Sequence, residues 1–345
     1  MQNNKLLIRT RFFSFLLERK AVVLTAILLA SLFVLTCICA GIGSLWIPPL
    51  EVAKTLFGFG DAMSHTILFS YRLPRAAMSI AAGACLAASG ALLQSVSRNP
   101  LASPDMIGIT GGASAAGVAF LVLTGGKFGL VWLSASAIVG AILIAIILFA
   151  LAYKGGISPL RLVLIGVAIQ TAAGSLSSFL IIISPHYMAN QAFNWLTGSV
   201  YGSSWNNVIA LLPWAGILGF FAWSLARKAN VHELGEEVAA SLGSRITSER
   251  TLLILLSAAL AGAAVSQVGP IGFIGLMAPH MARRLVGPSF GALMPVAACL
   301  GAMLLLAADT IGRTAFPPND IPAGVFTAAV GAPFFIYLLL RRRRK

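Results

Sequence analysis

Long apolar stretches separated by short polar segments run along almost the whole chain. Residues Ala21–Leu45 and Ala76–Ser97 carry no charged side chain, and a helix needs about twenty such residues to cross the hydrocarbon core of a bilayer. Because that core holds no water to satisfy backbone groups, such segments must be helical. The pattern predicts an all-α, polytopic membrane protein.

The apolar stretches and the residues that break them divide the chain into ten predicted transmembrane helices. They lie near residues 22–44, 74–96, 106–124, 130–152, 161–183, 207–226, 250–268, 272–286, 290–308 and 322–340. The eighth is too short to cross a bilayer upright at about 1.5 Å per residue. We therefore predict a broken or partly re-entrant helix there.

Lysine and arginine residues predict the orientation. If the amino terminus lies in the cytoplasm, 19 of the 24 basic residues fall on that side, and those left outside are Lys54, Arg72, Arg75, Lys127 and Arg313. Basic residues are enriched in cytoplasmic loops. Because ten crossings return the basic tail to the same side, we expect an inner-membrane protein with both termini in the cytoplasm.

The same pattern predicts the domain organisation. A basic cytoplasmic segment (1–21) precedes a single transmembrane domain (22–340), and a basic cytoplasmic tail (341–345) follows it. A basic region before an apolar run is also typical of a signal peptide. The run is long and Ala40–Gly43 is a poor cleavage site, so we expect an uncleaved first helix.

Composition excludes a soluble enzyme with one large core. Hydrophobic residues make up 58% of the chain and charged residues 10%, whereas soluble domains carry about 25% charged residues. The net charge of +14 lies at the ends of apolar segments and needs no nucleic-acid partner. The four cysteines lie within apolar runs without a C-x-x-C spacing, so neither a metal site nor a cofactor is predicted.

The chain lacks the sequence features of an energy source of its own. Gly125–Phe128 has neither the spacing nor the hydroxyl residue of a phosphate-binding loop. Asp105, His280 and Asp309 lie near the ends of predicted spans, whereas ion-coupled carriers need ionisable groups at membrane depth. No catalytic constellation emerges either. We predict a transport subunit, not an enzyme, that is driven by another protein.

The largest predicted cytoplasmic loop, residues 227–250, carries four of the ten acidic residues. Gly235 and Gly243 flank Glu236–Leu242, which suits a short exposed helix. A soluble motor protein could bind such a helix, but a solvated loop between two spans would carry similar charges. The residues alone leave both interpretations open.

Arg72, Arg75 and Arg313 lie on the predicted outer side, where the charge rule disfavours them. One reason is docking of an acidic partner, because arginine binds carboxylates through a bidentate fork. The alternative is anchoring to lipid phosphates, or pairing of Arg313 with Asp309 one helical turn away. The chemistry alone favours neither.

Two parts of the chain show faint similarity to each other. Leu86–Gln94 is followed by Pro104–Ile109, and Leu260–Gln267 is followed by Gly269–Gly275. In the predicted topology the two parts cross the membrane in opposite directions, as in an inverted repeat. The predicted fold therefore includes a possible inverted repeat.

A series of short motifs runs in order from about Tyr71 to Leu340. The motifs are Tyr71–Arg75, Gly90–Gln94, Arg98–Pro104 with Gly108, Leu234–Glu236 with Ala239, Leu242 and Gly243, Gly269–Leu276 with Pro279 and His280, Ala308 and Asp309 with Arg313, Pro322–Val325 and Gly331–Phe335. In these motifs the chain closely resembles the FecCD family of permeases, which serve iron–siderophore, haem and vitamin B12 importers. One departure is Pro322-Ala323-Gly324, where many relatives have Pro-Ile/Val-Gly.

The resemblance implies the fold of a type II ABC importer permease that pairs with a second permease and two cytoplasmic ATPases. It also implies an extracytoplasmic binding protein whose glutamates meet Arg72, Arg75 and Arg313. The coupling helix would seat in a groove of the ATPase through Leu234, Gly235, Glu236, Ala239, Leu242 and Gly243.

The expected function is therefore import of an iron(III)–siderophore complex, the commonest role in the family, at the expense of ATP hydrolysed by a separate subunit. Haem or cobalamin import is the alternative, and an ion-coupled carrier is a further one. The translocation path is expected at the interface with the second permease. The fifth predicted span and Gly262–Gly275 are the candidate lining segments.

Overall fold

Helices make up nearly all of the regular secondary structure in the computed structural model. The structure describes residues 5–9, 14–43, 45–125, 127–128, 130–152, 159–316 and 319–342. The helices are α1 (Arg19–Gly41), α2 (Pro49–Leu56), α3 (Ala62–Thr66), α4 (Leu73–Ser97), α5 (Ile109–Thr124), α6 (Leu130–Ala152), α7 (Pro159–Ile183), α8 (His186–Leu196), α9 (Trp205–Ser224), α10 (Ala226–Glu233), α11 (Glu236–Ser241), α12 (Ile246–Val268), α13 (Ile274–Val286), α14 (Phe290–Thr314) and α15 (Ala323–Arg342). A π-helical turn, Ile67–Arg72, joins α3 to α4.

A short antiparallel hairpin precedes the helices. Strand β1 (Lys5–Arg9) pairs with β2 (Ser14–Glu18), so that Lys5 lies opposite Glu18 and Ile8 opposite Phe15. The charge pattern of residues 1–21 predicted a basic segment and gave no sign of strands. Branched and aromatic residues in both halves of the hairpin favour the extended conformation.

Each of the ten predicted spans contains a helix, namely α1, α4, α5, α6, α7, α9, α12, α13, α14 and α15. Among the described residues, seven helical segments are long and apolar enough to cross a membrane. Helix α5 and the apolar part of α15, Ala323–Leu338, are shorter, and α13 has only 13 residues. The all-α membrane fold is confirmed, and the count of ten crossings stays a prediction.

Helix α4 lies at the centre of the bundle because its small residues allow close approach. A Cβ atom added to Gly83 would lie 2.4 Å from the carbonyl oxygen of Gly301 in α14. One added to Gly90 would lie 1.8 Å from the carbonyl oxygen of Gly275 in α13. The Ser89 hydroxyl lies 2.7 Å from that of Ser257 in α12. Close packing and interhelical hydrogen bonds hold helices together in lipid, where burial of apolar surface gives no advantage.

Two non-helical segments meet inside the bundle. One segment, residues 98–108, follows α4, and the other, residues 269–273, follows α12. They are joined by a hydrogen bond in which the backbone N–H of Phe273 donates to Asp105 Oδ2 at 3.3 Å. Pro104 also packs against Gly275 at the start of α13. Helix α13 therefore begins within the bundle and rises only about 20 Å, as expected of a partly re-entrant helix. The two parts with similar sequences meet at this point, and the inverted repeat stays a prediction.

The inward turn of residues 98–108 changes the expected position of Asp105. The sequence placed it near the end of a predicted span, beside helix-breaking residues. The structure places its carboxylate against the backbone of Phe273, in the interior, because residues 98–108 turn back into the bundle instead of remaining outside it. A carboxylate therefore does lie at depth, but it accepts a backbone hydrogen bond.

The bundle has two ends, which we name by their residues. The arginine end carries Arg72, Arg75 and Arg313, and the short-helix end carries α10 and α11. Arg75 near the start of α4 pairs with Asp309 near the end of α14, so these two helices are antiparallel. At the other end, the backbone N–H of Phe290, which begins α14, donates to Asn230 of α10 at 2.7 Å.

Candidate docking and coupling sites

Arg72 is buried and binds the end of α1. Its Nη1 donates to the carbonyl oxygens of Ala40 at 2.6 Å and Gly41 at 2.9 Å, and its Nη2 donates to that of Leu45. The last carbonyls of a helix have no partner within the helix, and the guanidinium supplies one. A Cβ at Gly43 would lie 2.6 Å from Nη2, so glycine there leaves room for this contact.

Arg75 lies in the first turn of α4, after Pro74, and bridges two carboxylates. Its Nε lies 2.9 and 3.0 Å from the two oxygens of Asp309, and its Nη2 lies 2.8 Å from Asp309 Oδ1. On its other edge, Nη1 lies 2.9 Å from Asp320 Oδ2 and Nη2 lies 3.2 Å from Asp320 Oδ1. The ring of Tyr201 lies 5.5 Å from the guanidinium carbon, within range of a cation–π contact.

Arg313 contacts the same carboxylate from the end of α14. Its Nε lies 4.0 Å from Asp309 Oδ2, and its Nη2 donates to the carbonyl oxygen of Cys39 in α1. The i,i+4 pairing considered from the sequence is therefore present, at the outer limit of an ion pair.

The structure thus gathers the three predicted docking arginines at one end of the bundle, and it gives each of them partners within the chain. Asp309 and Asp320 offset two of the three positive charges. Their docking role stays a prediction. Sequence reasoning considered Asp309 as a partner of Arg313 and missed Asp320, whose only signal was a carboxylate just before the Pro322-Ala323-Gly324 motif.

A polar cavity of about 410 Å³ opens beside Arg75. Its wall is built from the segment after α8, the start of α9, the end of α12 and the residues before α15. The lining side chains are mostly amides and hydroxyls: Asn194, Trp195, Thr197, Ser199, Tyr201, Ser203, Asn207, Ser266, Gln267, Val268, Asp320 and Pro322. Such a cavity can hydrogen-bond a hydrophilic solute through neutral donors and acceptors.

Two glycines set the limits of α11. Gly235 has φ +107° and Gly243 has φ +78°, conformations that side chains with a Cβ rarely adopt. After the helix, Gly243 N–H donates to Ala240 O at 2.9 Å and Ser244 N–H to Ala239 O at 3.0 Å, which is the Schellman pattern of a helix end. The glycine spacing seen in the sequence therefore defines a short, well-terminated helix.

The outward side of α11 is apolar. Leu234, Val238 and Leu242 are 60%, 45% and 63% exposed and recur every four residues, whereas Ala239 is fully buried. Val238 and Leu242 are four apart and share one face of α11, whereas Leu234 ends α10 just before Gly235. We call these three exposed apolar side chains the α11 stripe. Val238 was not singled out from the sequence, although its spacing from the two leucines could have revealed it. The Glu236 side chain lies outside the described part of the structure.

Helix α10 connects α11 to the bundle. The strongest link is an ion pair between Glu233 and Arg283 of α13, with Oε1 and Nη1 2.9 Å apart. Glu249 of α12 lies 3.5 Å from both Lys228 Nζ and His232 Nε2. Ser95 of α4 donates to the Ala229 carbonyl at 3.1 Å. Helix α10 therefore contacts α4, α12 and α13 as well as α11.

The two predicted lining segments differ in accessibility. Helix α7 exposes the hydroxyls of Thr171, Ser175 and Ser178 on one face, and Gly174 has open space around it. Exposed polar groups on a long apolar helix indicate contact with a partner or a water-filled path more than with lipid. The other segment, residues 262–275, is mostly buried within this chain. Among the described residues, no three His, Cys, Asp or Glu side chains group as metal ligands.

A profile of the FecCD transport family matches residues 29–341. The chain belongs to the FecCD transport family. The match extends over all ten predicted spans except the first turns of α1, so the whole helical bundle of this FecCD chain is common to the family. Its apolar helices and its relatives make it a multi-pass membrane protein.

Curated relatives of this FecCD chain are full-length matches. It is 48% identical over 331 residues to "Probable siderophore transport system permease protein YfhA" of Bacillus subtilis, covering 94% of this chain and 96% of the relative. It is 40% identical to the iron(3+)-hydroxamate import system permease protein FhuG of the same organism, over 93% and 98% of the two chains. It is 39% identical to the cobalamin import system permease protein BtuC of Halobacterium salinarum, over 87% and 81%.

A solved structure shares the architecture. It is described as an inward-facing conformation of a metal-chelate type ABC transporter, and it superposes with a TM-score of 0.82 at 31% identity, covering 93% of this chain and 99% of that one. This FecCD chain therefore has the fold of an ABC importer permease. Its family consists of permease subunits, which associate with ATPase and substrate-binding components.

Proposed function

We propose that this chain is the membrane-spanning permease subunit of a binding-protein-dependent ABC importer for an iron(III)–siderophore complex. The observation that carries the proposal is 48% identity over 331 residues to a siderophore permease, with nearly complete coverage of both chains. Similarity of that extent covers 94% of this chain and 96% of the relative.

The substrate class follows from what the relatives are named for. Permeases for iron-hydroxamate, achromobactin and iron-citrate match at 40%, 42% and 43% identity. The cobalamin permease at 39% supports a second candidate substrate. The hydroxyl and amide lining of the cavity offers hydrogen-bond partners to the polar groups of either class of chelate.

The proposed assembly contains a second permease, two ATPases and an extracytoplasmic binding protein. The arginine end faces outward and receives the binding protein, and the short-helix end faces the cytoplasm, as the distribution of basic residues predicts. In this orientation the chain lies in the bacterial inner membrane with both termini inside. The α11 stripe would fill an apolar groove of the ATPase, because exposed leucines on a charged surface need a partner.

In this account the chain performs no chemistry on the substrate. ATP binding closes the ATPases and moves α11, and α10 transmits the movement to α4, α12 and α13. Packed helices switch between discrete arrangements, so the bundle would rock between outward- and inward-open states. The hydroxyl face of α7 is the proposed lining of the path, at the interface with the second permease.

The interior of the bundle bears on one alternative function, that of an ion-coupled carrier. Asp105 is a carboxylate at depth, as such a carrier requires. However, it accepts the backbone N–H of Phe273, and that contact assigns it a structural role in joining the two re-entrant segments. A scaffold without transport activity has no specific observation in its favour.

The test is uptake in the host after deletion of this gene and, separately, of its ATPase. Radiolabelled iron would be supplied as a hydroxamate, as citrate or as haem, and radiolabelled cobalamin in parallel. We expect both deletions to abolish uptake of the same iron chelate and to leave cobalamin uptake intact. Loss of cobalamin uptake alone would favour the second candidate, and unaffected uptake of every compound would contradict the proposal.

A further inference from the structure

Asp320 covers the one edge of Arg75 that a docking carboxylate could reach. The guanidinium of Arg75 presents Nε and Nη2 to Asp309 and presents Nη1 and Nη2 to Asp320. The Asp309 side chain is 3% exposed, whereas that of Asp320 is 29% exposed. Both bidentate edges of the guanidinium are therefore occupied, one by a buried carboxylate and one by an accessible carboxylate.

These two carboxylates differ in how easily they can leave. Removing Asp309 from Arg75 would strand a charge inside the protein, which is strongly unfavourable. Releasing Asp320 to water costs little, since partly exposed ion pairs contribute weakly to stability. A glutamate arriving from a partner could take the place of Asp320 on the same fork without changing the number of ion pairs.

The other predicted docking arginines offer no such exchange. Arg72 donates to carbonyl oxygens of the α1 end, which are part of the backbone and cannot be released. Arg313 donates to the Cys39 carbonyl and faces the buried Asp309. Arg75 therefore differs from both in having a partner that can be displaced.

The arginine end as a whole is nearly neutral, so docking cannot rely on a broad positive surface. The predicted outer side carries five basic and four acidic residues. They are Lys54, Arg72, Arg75, Lys127 and Arg313, and Glu51, Asp61, Asp309 and Asp320. A partner bearing glutamates would be attracted weakly at long range and would have to form specific pairs at contact.

We propose that Asp320 is an internal competitor for the docking carboxylate. The acidic side chain of the binding protein displaces Asp320 from Arg75, and the residues just before α15 are thereby released from the start of α4. This inference rests on the proposed function, because it needs a binding protein at the arginine end. Asp320 would thereby link docking of the binding protein to the interior of the bundle.

The position of Asp320 connects docking with the polar cavity. Asp320, Pro322 and Tyr201 all line the 410 Å³ cavity, and Tyr201 also lies over the Arg75 guanidinium. Exchange at Arg75 therefore changes the contacts of two groups in the cavity wall, Asp320 and Tyr201. A loaded binding protein would loosen this wall only when it is seated.

The experiment measures docking with three variants. The complete transporter, purified in lipid nanodiscs, is titrated with the ligand-loaded binding protein encoded beside it. Asp320→Asn removes the competing charge, and Asp320→Glu retains it. Asp61→Asn makes the same change in net charge at the same end. Within the described part of the chain Asp61 forms no ion pair with an arginine, and it caps α3 through the Ser64 N–H at 3.2 Å, a role that asparagine can keep.

We expect Asp320→Asn to bind about threefold to tenfold more tightly than the wild type, as removal of a weak competing ion pair allows. Asp320→Glu should bind like the wild type, and Asp61→Asn should change affinity by less than about twofold because salt screens distant charges. Equal gains from Asp320→Asn and Asp61→Asn, or weaker docking of Asp320→Asn, would overturn the competition. Absence of docking by the wild type would overturn the proposed function together with it.

Discussion

At the arginine end, charged side chains turn inward and pair with each other, and Arg75 holds both Asp309 and Asp320. At the short-helix end, the ion pairs lie behind α11, and the surface they support is apolar. Leu234 and Leu242 are more than half exposed there. One end thus offers charges that can exchange partners, and the other offers a fixed apolar stripe supported by ion pairs.

This difference suits two kinds of partner. Charge pairs at an accessible edge favour rapid association and release, which a binding protein needs in every transport cycle. Apolar contact gives a lasting interface and a firm mechanical link, which an ATPase needs if it is to move the bundle. The two ends should therefore respond differently to salt and to mutation.

The largest expected effect concerns the buried half of the arginine network. Asp309→Ala leaves Arg75 and Arg313 without their buried counter-charge and should lower the free energy of unfolding by about 3–5 kcal/mol. Asp320→Ala is the matched change at the exposed edge and should cost less than about 1 kcal/mol. Thermal unfolding of the purified variants in detergent measures both. An equal loss of unfolding free energy in the two variants would show that Asp309 and Asp320 contribute equally to stability, contrary to this account.

The next effect concerns the α11 stripe. Replacing both Leu234 and Leu242 with Asp should weaken ATPase association about 100-fold, because burying each leucine contributes about 1.5–3 kcal/mol. Ala240→Asp adds a charge to the exposed opposite side of α11 and is the control. Co-purification of the ATPase with each variant measures the difference. An equal loss with Ala240→Asp would mean that the stripe is not the contact surface.

The smallest expected effect concerns the transmission of movement from α10 to α13. Glu233→Arg or Arg283→Glu alone should reduce ATP-driven uptake about tenfold, as expected from loss of a partly buried ion pair. The double exchange restores an ion pair and should recover most of the uptake, with ATPase association unchanged throughout. If the double variant transports no better than the single ones, the pair does not carry the movement.

Local patterns predicted much of the molecule from the sequence. Apolar stretches predicted the main helices of the bundle because lipid permits few alternatives to helices, and Gly235 and Gly243 predicted α11, where both have positive φ. Contacts between distant residues could not be predicted in this way. Arg75 and Asp320 are 245 residues apart, and Arg72 reaches carbonyls more than 30 residues away.

The re-entrant segments show the same limit. Pro104 and Gly275 are helix-breaking or small residues whose presence in the sequence indicated an interruption, but nothing local indicated that residues 98–108 turn inward to meet residues 269–273. That meeting depends on Gly90 and Gly275 packing backbone to backbone. For the same reason, the interior position of Asp105 became visible only in the folded chain.

The most direct test of the whole account is reconstitution with and without the companion proteins. Purified alone into proteoliposomes, this chain should not accumulate a ferric siderophore under any proton or sodium gradient. With the second permease, the ATPase, the loaded binding protein and ATP on the appropriate sides, accumulation should follow and should stop when ATP hydrolysis is blocked. Accumulation against a gradient by the purified chain alone would contradict the account.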